Sequence, residues 1–167
     1  MEPGWHRDQG FTLFELLVTI AIIGIIVSLA ILAVGDNQTE REERATTTLG
    51  ALIKLARETA FFNGEDIALS FWRYGYGFHR LEENKWTPMT EDPHLRTRLV
   101  PEDMELHLFL EGLEVELPAD EQDEPQVFIL SSGEMTPFEL RIGNEDEVIP
   151  ELSVDALGRI SIEVLSK

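Results

Sequence analysis

Residues 16–34 read LLVTIAIIGIIVSLAILAV, nineteen consecutive positions without a charge. Thr19 and Ser28 are its polar members, and in a helix either hydroxyl can be returned to the carbonyl one turn earlier. At 1.5 Å per residue the run spans about 28 Å, close to the ~30 Å hydrocarbon core of a bilayer. A buried core helix rarely runs this long with apolar residues on every face. The stretch therefore reads as a membrane-spanning helix or a cleavable targeting segment. No second run of this kind follows, so at most one membrane crossing is expected.

Outside this run the chain is strongly acidic. Of 167 residues, 13 are Lys or Arg and 32 are Asp or Glu, a net charge of −19. Residues 1–35 hold Arg7 against Glu2, Asp8 and Glu15, a sum of −2, so the rest carries −17. Such a balance argues against nucleic-acid binding, which needs clustered cations, and against a polybasic surface for anionic lipid. The absence of cysteine excludes disulfides, thiolate chemistry and Cys-based metal sites, and leaves the compartment unread from redox chemistry. With 43% hydrophobic residues the chain has the composition of a folded domain.

The junction before the apolar run is the most specific part. Gly10-Phe11-Thr12-Leu13-Phe14-Glu15 resembles the cleavage and methylation site of type IV pilins and type II secretion pseudopilins. That resemblance implies cleavage after Gly10 by a prepilin peptidase, N-methylation of Phe11, and an assembly role for Glu15. The physics is independent of the family. A carboxylate near the end of an apolar helix is costly unless neutralised. Cleavage after Gly10 would create an ammonium at Phe11, one helical turn before Glu15. The pairing can form within one subunit, or between neighbours in a filament, where it would set register as a buried polar group does in a coiled coil. The resemblance implies the intersubunit version; spacing alone does not choose. The competing reading is a secretory signal peptide cut near Ala33-Val34-Gly35. The nineteen-residue run exceeds the usual ~7–15-residue apolar region of such signals, and an acid directly before it is unusual.

After residue 35 the period becomes that of an amphipathic helix. Ala45, Leu49, Leu52, Ile53, Ala56 and Ala60 share one face, and Arg41, Glu42, Lys54, Arg57 and Glu58 are assigned to the others. Asn63-Gly64 is a stop signal. One stem of about 80 Å from Phe11 to Asn63 is expected, with Gly24 and the region of Gly35 as places to bend. The alternative is two helices with a linker at 35–39. Asn37-Gln38-Thr39, a glycosylation sequon by pattern, is read as helix-initiating polar sequence.

From Ile67 onward period two takes over. Residues 67–72 and 77–81 flank a turn-like Arg73-Tyr74-Gly75-Tyr76. Alternation continues through 104–110, 113–117 and 138–142, with 126–130 as a short, central strand. The chain closes as a hairpin across Ala156-Leu157-Gly158. Seven to nine antiparallel strands packed on the stem are expected, an α+β fold. The division is a leader at 1–10, a transmembrane or filament-core helix at 11–35, an amphipathic stem at 36–64 and a β head at 65–167.

The phrases ARETAFFNGEDIALSF at 56–71 and FILSSGEMTPFEL at 128–140 are similar to the H-type minor pseudopilins of type II (general) secretion systems. The resemblance implies a pilin-like α+β fold and a low-abundance, non-enzymatic subunit near the tip of a pseudopilus that supports protein export. It implies partners among the other minor pseudopilins, the major pseudopilin, the prepilin peptidase and an inner-membrane assembly platform. Counting cations near the run puts the large domain in the cytoplasm; the resemblance implies the reverse, a bacterial inner-membrane protein with its head in the periplasm. A minor pilin of a type IV or DNA-uptake pilus, and a secreted binding module, are the alternatives.

Enzymatic and metal motifs are not apparent. His6, His79, His94 and His107 share no metal-ligand spacing and read as surface or packing residues. Gly75-Tyr76-Gly77 reads as a turn rather than a phosphate loop, and Ser131-Ser132-Gly133 is no nucleophile elbow. The acid-rich stretches 114–124 and 143–147 lack EF-hand spacing and read as solvated loops. No cofactor, catalytic residue or metal site is expected.

Overall fold

A computed structural model describes residues 13–122, 124–143 and 149–165, without the side chains of 29–39, 149, 164 and 165. The leader, including Gly10 and Phe11, lies outside the described residues. A single helix, α1, covers Leu13–Asn63. The chain divides into two compact units, one up to Gln38 and one from Thr39 onward.

In the first unit α1 carries apolar residues on every face. Its interior hydroxyls behave as the sequence requires: Thr19 Oγ1 donates to the Glu15 carbonyl at 2.7 Å and Ser28 Oγ to that of Gly24 at 2.8 Å.

The second unit is the rest of α1 with ten strands: β1 Ile67–Trp72, β2 Gly75–Glu82, β3 Lys85–Pro88, β4 Arg98–Leu99, β5 Glu105–Leu110, β6 Leu113–Val115, β7 Val127–Ile129, β8 Phe138–Gly143, β9 Ile149–Val154 and β10 Ile160–Leu165. One antiparallel sheet has the order β3-β2-β1-β7, with β4 paired to the start of β2; the other runs β10-β9-β8-β5-β6. This is an α+β architecture with the helix packed on antiparallel sheets.

The predicted helix face is the face that packs. Leu49, Ile53, Ala56 and Ala60 are buried with Phe71, Phe78 and Leu140. Burying each of the larger apolar side chains contributes about 1.5–3 kcal/mol. Gly50 lets α1 close on the second sheet, since a Cβ there would lie 3.4 Å from Leu152 Cδ1 and 3.6 Å from Ile160 Cγ2.

The helix stops where Asn63-Gly64 predicts. Gly64 has φ +65°, and the Glu65 amide donates to the Ala60 carbonyl at 3.1 Å, the six-to-one bond of a Schellman cap. A Cβ at Gly64 would meet nothing within 4 Å, so its cost is purely one of backbone. Gly64→Ala is expected to lower stability by about 1 kcal/mol, read as a lower urea midpoint at unchanged slope.

Four strand-level expectations change. The segment at 126–130 is an edge strand, not a central one: β7 pairs β1 and no other strand on its outer side. It is apolar because Val127 and Ile129 are buried, and its outer edge is covered by the returning loop. There the Thr136 amide donates to the Phe128 carbonyl at 2.9 Å, and Ile129 bridges Met135. Gly75-Tyr76-Gly77 is not a turn but the beginning of β2, in register with Trp72, Phe71 and Ser70 of β1. The strand expected at 113–117 is shorter, ending at Val115 with Leu113 exposed. Finally, β3 and β4 go beyond the expected strands. The β2–β3 turn has positive φ at Glu83 (47°) and Asn84 (68°), a type I′ pattern without the glycine that advertises it.

Candidate functional site

The N-terminal stretch of α1 is the feature that a folded single chain leaves unsatisfied. Leu13 is 82% exposed, Ile20 62% and Ile26 60%, and the neighbouring Leu, Ile and Val side chains are similarly bare. An uncovered apolar surface of this extent marks an interaction or membrane surface. Among the described residues no helix is long and apolar enough to cross a membrane; the side chains of 29–34, which complete the uncharged run, are outside the described set.

Glu15 lies in the first turn of α1, exposed among these apolar side chains. An acid at that end is favoured by the helix dipole. Of the three predicted site residues, Glu15 is thus positioned on the helix, while Gly10 and Phe11 lie outside the described residues.

The stem face holds a residue that sequence reading assigned to the outside. Glu42 is completely buried, as is Thr46, whose Oγ1 donates to the Glu42 carbonyl at 2.9 Å. The cause is the helical step. Glu42, Thr46, Leu49 and Ile53 follow at i, i+4, i+7 and i+11, so the stripe that buries Leu49 also buries Glu42. Polarity sent Glu42 outward in the sequence reading; the heptad step to Leu49 was the signal that finds it.

At the other end of α1, Phe61 is 60% and Phe62 80% exposed, with ring centroids 5.7 Å apart in an edge-on pair. With Leu157 and Gly133 they line a cavity of about 640 Å³. Sequence reading included both phenylalanines in a family phrase and assigned them no role.

The histidines fall into packing and surface settings. His79 is buried with Nε2 2.7 Å from Ser70 Oγ, and His107 Nδ1 lies 3.0 Å from Glu114; His94 is exposed, and His6 is outside the described residues. Among the described residues no group of three His, Asp or Glu side chains is placed to hold a metal ion. The chemistry on view is that of association: apolar surface, one carboxylate in it, and a head packed around a stem.

Comparison with known proteins is consistent with this. The model of the prokaryotic N-terminal methylation motif matches residues 5–31, the stretch that contains the glycine–phenylalanine junction and Glu15. Over 164 residues the chain is 33% identical to type II secretion system protein H of Pseudomonas aeruginosa, covering 92% of this chain and 93% of that one. It is 28% identical to the protein of the same name from Aeromonas hydrophila, with 94% of each covered. The fold resembles the crystal structure of the minor pseudopilin EpsH from the type II secretion system of Vibrio cholerae, with a TM-score of 0.65 at 24% identity. That match covers 77% of this chain and 97% of the other.

Proposed function

The chain belongs to the protein H family of type II secretion systems, the H-type minor pseudopilins, and from that premise we propose how it is processed, anchored and assembled. As a pseudopilus subunit its associations are with the other pseudopilins of its system. Prepilin peptidase cuts after Gly10 and the new terminus, Phe11, is methylated. The uncharged run then holds the chain in the bacterial inner membrane with residues 65–167 as a periplasmic head. From there the assembly platform adds it to the pseudopilus, at or near the tip and next to other minor pseudopilins and the major one. Its role is structural, with no reaction of its own and no cofactor.

The observation that carries this reading is the bare apolar stretch of α1, together with the sequence motif Gly10-Phe11-Thr12-Leu13-Phe14-Glu15. That surface must leave water, and two environments accept it: lipid before assembly, and the apolar helices of neighbouring subunits after it. Similarity over nearly the whole length to protein H favours the secretion pseudopilus over a twitching or DNA-uptake pilus.

Intact mass and N-terminal sequencing of the protein from its own membranes test the processing step. A chain that begins at methylated Phe11 is expected. A chain that begins at Asp36 would mean a secretory signal and no filament, and would overturn the proposal.

A further inference from the structure

The head carries a concentration of positive charge that its composition does not suggest. A cavity of about 600 Å³ beside the stem is lined by Arg41, Arg44, Arg96 and Arg98, and none of the described residues lining it is acidic. These are four of 13 cationic side chains in a chain with 32 acids. The remaining walls are largely apolar, among them the exposed Leu99 and the half-buried Val100 and Pro101.

The four arginines are not equally engaged. Arg41 pairs in bidentate fashion with Asp103 at 2.9 and 3.0 Å, and Arg44 with Glu40 at 2.6 Å. Both pairs are largely exposed, the kind worth little in water and readily exchanged. Arg96 is exposed and no described residue pairs with it. Arg98 reaches one backbone carbonyl, that of His94 at 3.2 Å, and its Nε is buried with no hydrogen-bond partner. The Arg98 guanidinium also faces Tyr76: burial pushes that phenol above its ordinary pKa, and the cation opposes the rise. Two guanidiniums of one cavity, Arg96 and Arg98, thus have no carboxylate paired to them among the described residues, and a guanidinium fork is shaped to bind one bidentately.

We propose that this cavity docks an acidic segment of a neighbouring pseudopilin, its carboxylates on Arg96 and Arg98 and its apolar side chains on Leu99, Val100 and Pro101. The inference rests on the family reading, which supplies the neighbour; the charge supplies the chemistry. A chain of net charge −19 repels acidic partners as a whole, so a cationic cavity in it selects both the partner and its register. A bare phosphate would satisfy the guanidiniums but leave Leu99, which is 74% exposed, and the half-buried Val100 and Pro101 uncovered. A peptide segment covers both.

The test places a photoreactive benzoylphenylalanine at Leu99 in the full-length chain, in cells that carry the whole secretion system. The control is the same residue at Leu113 on the edge of the second sheet, equally exposed at 74%. Mass spectrometry of the adduct is expected to map a pseudopilin segment with at least two Asp or Glu residues. Charge reversal with R96E and R98E together is expected to cut its yield about tenfold, while R96K with R98K retains most of it. R96E alone, at an exposed position, reads the same effect should the double variant fold poorly, with a thermal melt as the check. An adduct with phospholipid, an adduct with a segment lacking acids, a yield indifferent to charge reversal, or no adduct at Leu99 would each overturn the inference. The N-terminal mass of the same sample separates the two readings. Mature Phe11 without an acidic adduct sinks only the docking site, whereas a start at Asp36 sinks the pseudopilin reading beneath it.

Discussion

Glu15→Ala is expected to give a chain that is still cut after Gly10 and methylated at Phe11 but that fails to enter the pseudopilus. In the proposed route cleavage precedes assembly, on a leader that the side chain at residue 15 does not alter, so processing should be unchanged. Assembly, as proposed, would move the first turn of α1 into apolar surroundings together with the new ammonium at Phe11. There, on the proposed role, the carboxylate balances that ammonium. Removing one partner of a buried ion pair costs about 3–5 kcal/mol, or a factor of several hundred in incorporation at ~1.4 kcal/mol per tenfold. The measurements are the mass of the mature chain, its fraction in sheared pseudopili, and secretion of the exported proteins. Normal secretion by the alanine variant would sink the assembly role; loss of cleavage would mean that Glu15 acts earlier, in recognition by the peptidase.

Gly75→Ala is expected to produce the largest loss of head stability from a single methyl group. A Cβ at that position would lie 2.5 Å from Trp72 Cζ2 and 2.6 Å from the Arg98 carbonyl oxygen. Trp72 is 2% exposed, so its ring has nowhere to go. The carbonyl belongs to β4, paired with β2 through Gly75↔Leu99 and Tyr76↔Arg98. Overpacking of a closed site costs about 1–3 kcal/mol, and with a backbone atom on one side the upper end, about 3 kcal/mol, is expected. The neighbouring Gly77 is the contrast: its nearest contacts are the Ser70 and Thr97 hydroxyls at 3.2 and 3.3 Å. Side-chain oxygens can give by a few tenths of an ångström, so Gly77→Ala should cost less. Urea unfolding of the three proteins side by side measures both differences. Equal midpoints for Gly75→Ala and the parent would show that β4 separates from β2 without penalty.

Much of this protein was legible because its segments obey a simple period. The stripe from Ala45 to Ala60 repeats at helical spacing and is the face found buried against both sheets. The hairpin across Ala156-Leu157-Gly158 was visible because Gly158 supplies the positive φ, +69°, that the turn uses. The Asn63-Gly64 stop was visible for the same reason. Where side-chain chemistry and geometry disagree, reading by chemistry failed. Glu42 looked like surface and is core; Gly75 looked like a turn and is a strand residue pressed against an indole. The two-residue strand β4 has no periodic signal at all, because two residues cannot show one.

Legible from neighbours along the chain were the uncharged run, the amphipathic stem and most of the alternating strands. A helical period followed by period-two segments pointed to an α+β fold, and the resemblance of the junction and the head phrases to pseudopilins pointed to its pilin-like form. Tertiary structure alone decided what depends on residues far apart in the chain. It chose which strand lies at a sheet edge, buried a glutamate under the head, and brought Arg41 and Arg44 from the helix to Arg96 before β4 and Arg98 in β4. The physical reason is that helical and strand periods act over a few residues, whereas a charge cluster or a tight glycine contact is set by surfaces that meet only once the chain has folded.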